Sequence, residues 1–314
     1  MNKKNSLPPT SYPLHPKIGT RGSQLALWQA KFIAAELAKN NSALEVELVE
    51  IHTKGDKILD APLAKIGGKG LFTKELELQL LAGNIDIAVH SLKDVPTELD
   101  EKFKIAAITK RANPFDAFVS NKFQTFGELP NGAIVGTSSL RRAAQILTLR
   151  PDLQIKNLRG NVDTRLKKLD AGEFDAVILA AAGLERLGYG SRIKQLLTQI
   201  IPAAGQGALA VEIRADDEKT FDAVKFLNDA ETCAAVKVER DFLQVVGGGC
   251  QIPVGIYAEV AGENISARAV IASIDGKNFV KDTAFGTLEN LDDFGKNFAE
   301  KLLDNGGREI LIKN

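Results

Sequence analysis

The sequence predicts the α/β fold class, with two α/β units followed by a smaller α+β unit. Three observations support this. Short apolar segments alternate with helical patterns as far as residue 179, the alternation is interrupted once by two adjacent strand-like segments, and the pattern changes beyond about residue 229. The 314 residues, 44% of them hydrophobic, suffice for two or three domains with their own cores.

The first unit begins with a predicted strand at 17–20 and a helix whose cap is Ser23. Apolar residues recur at helical spacing in this helix, namely Leu27, Phe32, Ile33 and Leu37. The remaining elements are a strand at 46–51, a helix at 71–81 and a strand at 85–90. Strands separated by helices predict right-handed crossovers and a mainly parallel sheet.

Two strands without a helix between them, 103–108 and 115–120, mark where the chain is expected to cross into the second unit. The alternation then resumes with a strand at 133–136, a helix at 139–149 ended by Pro151, a strand at 153–158, a helix at 162–169 and a strand at 176–179. A late strand at 208–213 could return to either sheet.

The C-terminal part has a different order of elements. It reads as a helix at 231–245, three strands at 252–260, 265–272 and 279–284, and a last helix at 291–303. Consecutive strands between two helices predict a small α+β domain.

Composition excludes several classes of function. Forty Lys and Arg balance forty Asp and Glu, so no global positive field draws the chain to nucleic acid or anionic lipid. The two cysteines and three histidines lack metal-ligand spacing, and we expect no metal site. Residues 1–17 have no apolar signal region, and the longest apolar stretch, 176–183, is too short to span a bilayer. We expect a cytoplasmic protein with a disordered leader and no membrane contact.

Arginine is concentrated in the second unit. Seven of the 13 arginines fall between residues 136 and 192: Arg141, Arg142, Arg150, Arg159, Arg165, Arg186 and Arg192. A solvated helix face is one interpretation. However, Arg141 and Arg142 lie in the first turn of a helix after a strand, where a cation opposes the helix dipole, and Arg159 directly follows a strand. Because ligands of open α/β sheets bind beyond the carboxyl ends of strands, these cations are predicted to face a polyanion in a cleft.

The first unit repeats this placement. Arg21 lies at its first strand-to-helix turn, and Lys93 and Asp94 follow its third strand. Asp94 could equally be a turn residue before Pro96. Cys250 follows three glycines, which suggests the close approach of a bulky group or a tight turn, whereas Cys233 lies in an Ala-rich helix and is typical of core filling.

Several long segments together resemble the hydroxymethylbilane synthase family, also called porphobilinogen deaminase. They are residues 20–28 (TRGSQLALW), 67–72 (GGKGLF), 88–96 (AVHSLKDVP), 136–142 (GTSSLRR), 158–162 (LRGNV), 202–207 (PAAGQG) and 248–253 (GGCQIP). The resemblance runs from about Lys17 to Glu309.

The resemblance implies two α/β domains similar to periplasmic binding proteins, with a cleft between them, and a small α+β C-terminal domain. The implied boundaries are 14–109 with 208–226, 110–207, and 230–314. It also implies a transferase of tetrapyrrole biosynthesis that acts as a monomer. Such an enzyme joins four porphobilinogen units, each losing ammonia, on one covalent dipyrromethane per chain, and releases hydroxymethylbilane by hydrolysis.

Roles for individual residues follow from the same resemblance. It implies that Cys250 holds the dipyrromethane by a thioether and that Asp94 is catalytic. The implied cofactor-binding residues are Lys93, Thr137, Ser139, Arg141 and Arg142. The implied substrate-binding residues are Arg21, Ser23, Arg159, Arg165 and Arg186. A lid over residues 54–70 would add Lys65, Lys69 and Phe72. Asp163 departs from the family pattern by placing an anion near Arg159 and Arg165, and Glu185 could pair with Arg186.

Two other functions remain open on the residues alone. A non-catalytic carboxylate-binding receptor would use the same cations, but it gives Asp94 and Cys250 no role. RNA binding by the arginine-rich unit is weakened by the neutral net charge and by an aromatic content of 6%.

Overall fold

A computed structural model of the chain describes residues 15–53, 73–247 and 252–313. The predicted leader as far as residue 14 lies outside the described residues. So do residues 54–72, with Lys65, Lys69 and Phe72, and the segment that contains Cys250. No helix within the described ranges is long and apolar enough to cross a bilayer.

The first part of the chain forms the elements that the sequence predicts. They are β1 (Lys17–Thr20), α1 (Gln24–Asn40), β2 (Glu47–Glu50), α2 (Lys74–Leu81), β3 (Ile87–Ser91) and β4 (Phe103–Ile108). The α1 helix buries Ala26, Ala30, Ile33 and Leu37 against the sheet. Phe32, which shares their spacing, is 36% exposed and does not belong to this buried face.

The second part forms an equivalent set. Its elements are β5 (Asp116–Val119), β6 (Ile134–Gly136), α3 (Leu140–Leu149), β7 (Gln154–Lys156), α4 (Val162–Asp170), β8 (Ala176–Ala180), α5 (Ala181–Arg186) and β9 (Gln195–Leu197). The sequence did not predict α5 and β9. The α5 helix continues the apolar run of β8 without a break in composition, and β9 has three residues, too few for a periodic pattern.

The late strand β10 (Leu209–Arg214) returns to the first sheet. That sheet has the order β2-β1-β3-β10-β4, and the second has β7-β6-β8-β5-β9. In each, three parallel strands are followed by one antiparallel strand, which is β10 in the first sheet and β5 in the second. The two α/β units therefore share one topology. In each, the antiparallel strand is the first one formed after the chain crosses from the other unit.

Two segments connect the units, one after β4 and one before β10, and they run side by side. The Ala112 N–H donates to the Gly207 carbonyl at 3.1 Å. Gly207 has φ of +95°, and a Cβ there would lie 2.6 Å from the Ala112 oxygen. Glycine is required at this crossing because any side chain would push the two connections apart.

The C-terminal part confirms the predicted α+β domain. The helix α6 (Glu218–Val224) follows β10 and packs on the core of the first sheet, and the C-terminal elements are α7 (Ala230–Val246), β11 (Val254–Ala261), β12 (Asn264–Ala272), β13 (Phe279–Thr287), α8 (Leu291–Leu302) and α9 (Arg308–Ile312). The strands form an antiparallel sheet whose core includes Phe242 of α7 and Phe298 of α8, with ring centroids 5.5 Å apart. The short helices α6 and α9 were not predicted.

Glu239 of α7 ties this domain to both connections. Its buried carboxylate accepts two hydrogen bonds from Arg111 at 2.6 and 2.8 Å. It also accepts one from the Gly205 N–H at 2.7 Å and one from the Ala258 N–H at 2.8 Å. One charge thus holds both connections and the third sheet together.

Candidate functional site

Lys93 and Asp94 lie in one turn of 3₁₀ helix, Leu92–Asp94, directly after β3. Leu92 is buried, and a Cβ on Gly205 would lie 2.8 Å from its Cγ, so the second connection packs on this turn. Lys93 is half-buried and Asp94 is exposed. The buried leucine anchors the turn, which leaves the two charged residues at the end of the strand.

The segment after Asp94 is held from the C-terminal domain. Arg240 of α7 donates to three consecutive carbonyls, those of Val95 at 3.3 Å, Pro96, and Thr97 at 3.1 Å. Charge-assisted bonds to backbone carbonyls restrain a loop more strongly than neutral ones do. Sequence reasoning did not identify Arg240.

The start of α1 approaches the same strand end. Ser23 caps the helix by accepting from the Ala26 N–H at 3.3 Å. Gln29, one turn further, donates to the Ser91 hydroxyl at the end of β3 at 2.7 Å. Arg21 precedes the cap, so the structure places Arg21 and Ser23 on the domain that carries Asp94.

The equivalent turn of the second domain carries the predicted hydroxyl residues. Ser139 is the N-cap of α3 and accepts from the Arg142 N–H at 3.5 Å. The buried Thr137 hydroxyl accepts from the Ser139 N–H at 3.2 Å. These contacts fix the backbone at the helix start, where N–H groups favour an anion.

Arg141 and Arg142 share a carboxylate that sequence reasoning missed. Both guanidinium groups are buried, and Asp116 of β5 accepts from Arg141 at 2.8 Å and from Arg142 at 2.7 and 2.9 Å. Burial would raise the pKa of Asp116, but the two arginines outweigh it and hold that pKa well below its usual range. A lone aspartate at the start of an apolar strand was the available signal, since a buried carboxylate requires a cation.

Three further arginines differ in their partners. Arg165 donates from Nε to the Gly160 carbonyl at 2.7 Å, and Arg186 donates from Nη2 to the Gly207 carbonyl at 2.6 Å. Arg159 has two buried nitrogens, Nε and Nη2, for which the described residues provide no hydrogen-bond partner. A buried guanidinium with unpartnered donors is costly and marks a place for an anionic ligand.

The two departures from the family pattern have partners of their own. Asp163 accepts from the Tyr189 hydroxyl at 2.6 Å. Glu185 accepts from the Asn113 amide at 3.4 Å. Both carboxylates thus accept hydrogen bonds from neutral groups, while the charge of Glu185 still acts on Arg186 and opposes the lowering of its pKa.

The two domains bring their charges together. Burial lowers the pKa of Lys93 to about 8; Asp94 opposes this shift, and Arg142 and Arg141 of the second domain add to it. Burial also lowers the pKa of Arg165 to about 10, with Arg142 and Arg159 acting in the same direction and Asp94 against them. Lys93 and Asp94 therefore lie within the field of the second domain's arginines.

This shared region, the charged cluster, is defined by Lys93, Asp94, Asp116, Arg141, Arg142, Arg159 and Arg165. Its cations outnumber its carboxylates by five to two. Such a surplus suits a ligand with several carboxylates, and Asp94 is an exposed carboxylate among them that can exchange a proton.

The residue predicted to hold the dipyrromethane lies between described elements. Cys250 is outside the described residues, between the end of α7 at Val246 and the start of β11 at Val254. Cys233, by contrast, is half-buried on α7 and packs against the cluster that contains Leu92. This agrees with the interpretation of Cys233 as core filling.

Comparisons with known proteins cover nearly the whole chain. The family model described as porphobilinogen deaminase, dipyromethane cofactor binding domain, matches residues 17–222, and that of the porphobilinogen deaminase C-terminal domain matches residues 233–304. A porphobilinogen deaminase of Geobacter sulfurreducens is 51% identical over 299 residues, which are 95% of this chain and 94% of that protein. One from Trichlorobacter lovleyi is 52% identical over 297 residues, 94% of this chain and 95% of that protein.

Solved structures that resemble this chain are more distant. A nutrient binding protein from Burkholderia cenocepacia bound to methionine has a TM-score of 0.43 at 17% identity, over 67% of this chain and 89% of its own. Immunogenic lipoprotein A from Vibrio vulnificus has a TM-score of 0.45 at 16% identity, over 70% of this chain and 98% of its own.

Proposed function

The chain belongs to the porphobilinogen deaminase family, and on that premise we propose which of its residues carry out the family's reaction. The reaction joins four porphobilinogen units head to tail, with loss of one ammonia for each unit, and releases hydroxymethylbilane by hydrolysis. It is a transferase reaction of tetrapyrrole biosynthesis and uses a dipyrromethane cofactor. Family membership decides against the receptor and RNA-binding alternatives.

The charged cluster suits a bound dipyrromethane and a growing chain. Each pyrrole ring carries two carboxylates, so the ligand is a polyanion, and the cluster has a surplus of cations. Arg159 gives the clearest evidence that these residues suit an anionic ligand, because two of its buried nitrogens have no hydrogen-bond partner among the described residues. A carboxylate at this position would satisfy both, and each charge-assisted contact contributes about 1.5 to 3 kcal/mol.

Arg141 and Arg142 keep donors for a ligand in spite of Asp116. A guanidinium has five N–H groups. The bonds of Arg141 to Asp116 and to the Ile201 carbonyl both use Nη1, which leaves Nε and Nη2 for other partners within the described structure. Asp116 therefore fixes the orientation of both arginines. Arg142 engages all three of its nitrogens, with Nε and Nη2 on Asp116 and Nη1 on the Ile178 carbonyl, and keeps one N–H each on Nη1 and Nη2, so Arg141 is the better placed of the two to bind a carboxylate.

We assign the binding residues in two groups. The proposed cofactor-binding residues are Lys93, Thr137, Ser139, Arg141 and Arg142, with Cys250 as the thioether attachment. The proposed substrate-binding residues are Arg21, Ser23, Arg159, Arg165 and Arg186. Lys65, Lys69 and Phe72 are proposed lid contacts. When bound, the dipyrromethane supplies the first pyrrole carbon that accepts a new unit.

Asp94 is the proposed catalytic residue. Its acid form gives a proton to the aminomethyl nitrogen of porphobilinogen as ammonia leaves. Its carboxylate then stabilises the delocalised cation that remains and takes up the proton lost from the accepting carbon. Lys93 and Arg165, whose charges interact with Asp94, orient the substrate carboxylates around it.

The domain assignment and the state of the molecule are also proposals. We place the domains at 14–109 with 208–226, at 110–207 and at 230–314, since β10 rejoins the first sheet after the second is complete. We propose a monomer in the cytoplasm, because one chain supplies both the strand end with Asp94 and the facing arginines.

The observation that carries this proposal is the convergence of Lys93 and Asp94 from one domain with the arginines of the other. Intact-mass measurement of the purified protein tests it. We expect an excess equal to two carboxylated pyrroles that survives denaturation, and formation of hydroxymethylbilane from porphobilinogen. A chain of unmodified mass that nevertheless turns over porphobilinogen would contradict the covalent assignment.

A further inference from the structure

An aromatic pair on α1 lies outside the core of the first domain. Trp28 and Phe32, one helical turn apart, stack with ring centroids 5.5 Å apart and an interplanar angle of 3°. Neither belongs to the buried face of α1, and Trp28 is half-buried. The core of the first domain does not account for a tryptophan here.

The partner of Trp28 comes from the other domain. The guanidinium carbon of Arg186, the last residue of α5, lies 5.5 Å from the Trp28 ring centroid. The same two helices approach each other at Leu25 and Gly183, where an added Cβ would be 3.7 Å from the leucine Cδ2. The ring and the cation thus meet across the boundary between the two α/β domains.

Arg186 is restrained without a carboxylate. Nη2 donates to the Gly207 carbonyl of the second connection at 2.6 Å. Within the described part of the chain no carboxylate lies at salt-bridge distance from Arg186, and the adjacent Glu185 accepts from Asn113 instead. Burial lowers the pKa of Arg186 to about 10, which keeps the group charged at neutral pH. Arg141 and Arg142 are different, because Asp116 neutralises part of their charge.

An aromatic ring and a carboxylate hold a guanidinium in different ways. The ring attracts the cation through its quadrupole and occupies none of the N–H donors in the plane of the fork. A carboxylate partner would occupy those donors and would compete with any carboxylate of a ligand. A ring is therefore the suitable support for a guanidinium that must bind and release an anion repeatedly.

We propose that Trp28 is a positioning residue for porphobilinogen binding, and that its ring holds the Arg186 guanidinium between the two domains with its donors open to a substrate carboxylate. This inference rests on the proposed role of Arg186. Trp28 itself acts through Arg186 and needs no contact with the reacting atoms.

A double-mutant cycle on the cofactor-loaded enzyme tests the inference. Trp28→Leu should raise the KM for porphobilinogen about 3- to 10-fold, as expected for loss of a partly desolvated cation–π contact, with little change in kcat. Trp28→Leu added to the Arg186→Leu enzyme should leave KM at the value of the Arg186→Leu single variant. Trp28→Phe should lie between the parent and Trp28→Leu, because phenylalanine retains a weaker ring. Phe226→Leu, at an exposed aromatic residue of the first domain outside this pair, is the control and should keep the parent KM.

The outcomes separate the inference from the role of Arg186. If Trp28→Leu raised KM equally with and without Arg186, the ring would act by packing alone and the inference would be overturned. A KM effect of Arg186→Leu with none from either Trp28 variant would also overturn it. If Arg186→Leu itself left KM unchanged, the proposed function of Arg186 would fail instead.

Tryptophan fluorescence gives a second readout, taken on protein whose circular dichroism spectrum matches that of the parent. Trp28 is the single tryptophan of the chain, so emission reports on this position alone. Arg186→Leu in otherwise unaltered enzyme should change the emission, because it removes a cation from the ring face. Identical emission spectra would show that ring and guanidinium do not meet in solution, and would overturn the inference.

Discussion

Asp116 accepts hydrogen bonds from both Nε and Nη2 of Arg142, at 2.9 and 2.7 Å, and both side chains are buried. The pair joins the start of β5, where the chain enters the second domain, to the first turn of α3. With Arg141 on the other carboxylate oxygen, one anion balances two cations. The arginines that we assign to carboxylate binding thus depend on a carboxylate of the protein for their orientation.

Asp116→Asn should destabilise the protein strongly at neutral pH. It leaves two adjacent buried cations without an anion, and breaking such a network costs about 3 to 5 kcal/mol in the free energy of unfolding. Because the pKa of Asp116 is lowered in the folded chain, the stabilisation is present above the usual carboxyl pKa of about 4 and is lost as the pH falls below it. Urea unfolding of parent and variant should converge in acid. Asp152→Asn, at the more exposed pair with Arg150, should shift the urea midpoint far less.

Asp94→Asn should fold and load cofactor but lose turnover by at least about 100-fold, because it can neither transfer the proton nor stabilise the cation. Asp94→Glu keeps the charge in a displaced position and should retain more activity than Asp94→Asn. Steady-state turnover of the cofactor-loaded variants checks this. Asp100→Asn, at an exposed turn six residues later, is the matched control and should behave as the parent. Activity of Asp94→Asn within a few-fold of the parent would remove Asp94 from the catalytic role.

Cys250→Ser should give a chain of unmodified mass without turnover, because the thioether needs the thiol. Cys233→Ala should keep both the mass excess and the activity, since Cys233 packs within α7 and its neighbours. Intact mass under denaturing conditions measures both variants. An adduct that persisted on Cys250→Ser would show that the attachment residue is a different one.

The arginine variants should block different stages. Arg141→Leu or Arg142→Leu should prevent cofactor uptake, because each removes a cation opposite a desolvated carboxylate, at a cost of about 3 to 5 kcal/mol. Arg186→Leu should load the cofactor normally but accumulate fewer elongated intermediates. Mass spectrometry of each variant after a limited supply of porphobilinogen reports the distribution of covalent intermediates. Arg192→Leu, whose side chain pairs with Asp170, should match the parent. One distribution shared by all four variants would favour a nonspecific positive field.

Activity should fall as the pH rises through about 8, the lowered pKa of Lys93. Loss of its charge weakens carboxylate binding, while the fold remains intact. Between that pKa and the ordinary value of 10.5, the folded chain holds fewer protons at Lys93 than the unfolded chain, so this group's contribution to stability rises with pH. Profiles of kcat/KM against pH should show an alkaline limb that Lys93→Arg removes, since arginine stays charged. Lys237→Arg should retain the limb. An alkaline limb that persisted in Lys93→Arg would show that a different group causes it.

Local signals predicted most of the fold. The cap Ser23 and the strands β1 and β4 were found where the sequence placed them, because capping and apolar periodicity act within a few residues. The residue pattern of β10 fits either sheet, and it was the family resemblance, through the boundaries 14–109 with 208–226, that placed this strand with the first domain. The α5 helix was missed because its apolar run continues that of β8.

Site residues that depend on distant contacts were beyond sequence reasoning. Asp116 lies 25 residues before Arg141, and their meeting depends on how β5 packs beside α3. Arg240 reaches carbonyls 143 to 145 residues earlier in the chain. The cations themselves were predicted, because their positions after strand ends are visible in the sequence, but the carboxylate that orients two of them was not.

Because β10 returns to the first sheet, the two α/β sheets are completed in a fixed order as the chain is synthesised. Strands of the second sheet are contiguous in the chain, from Asp116 to Leu197, so that sheet can close as soon as it emerges. The first sheet begins at Lys17 but lacks the strand between β3 and β4 until Arg214 has been made. During that interval β3, the strand that leads to Asp94, has an open edge prone to improper pairing. Slow translation after the second sheet would therefore prolong the stage in which this edge is open, and the first domain, although its synthesis begins first, is completed only after the second.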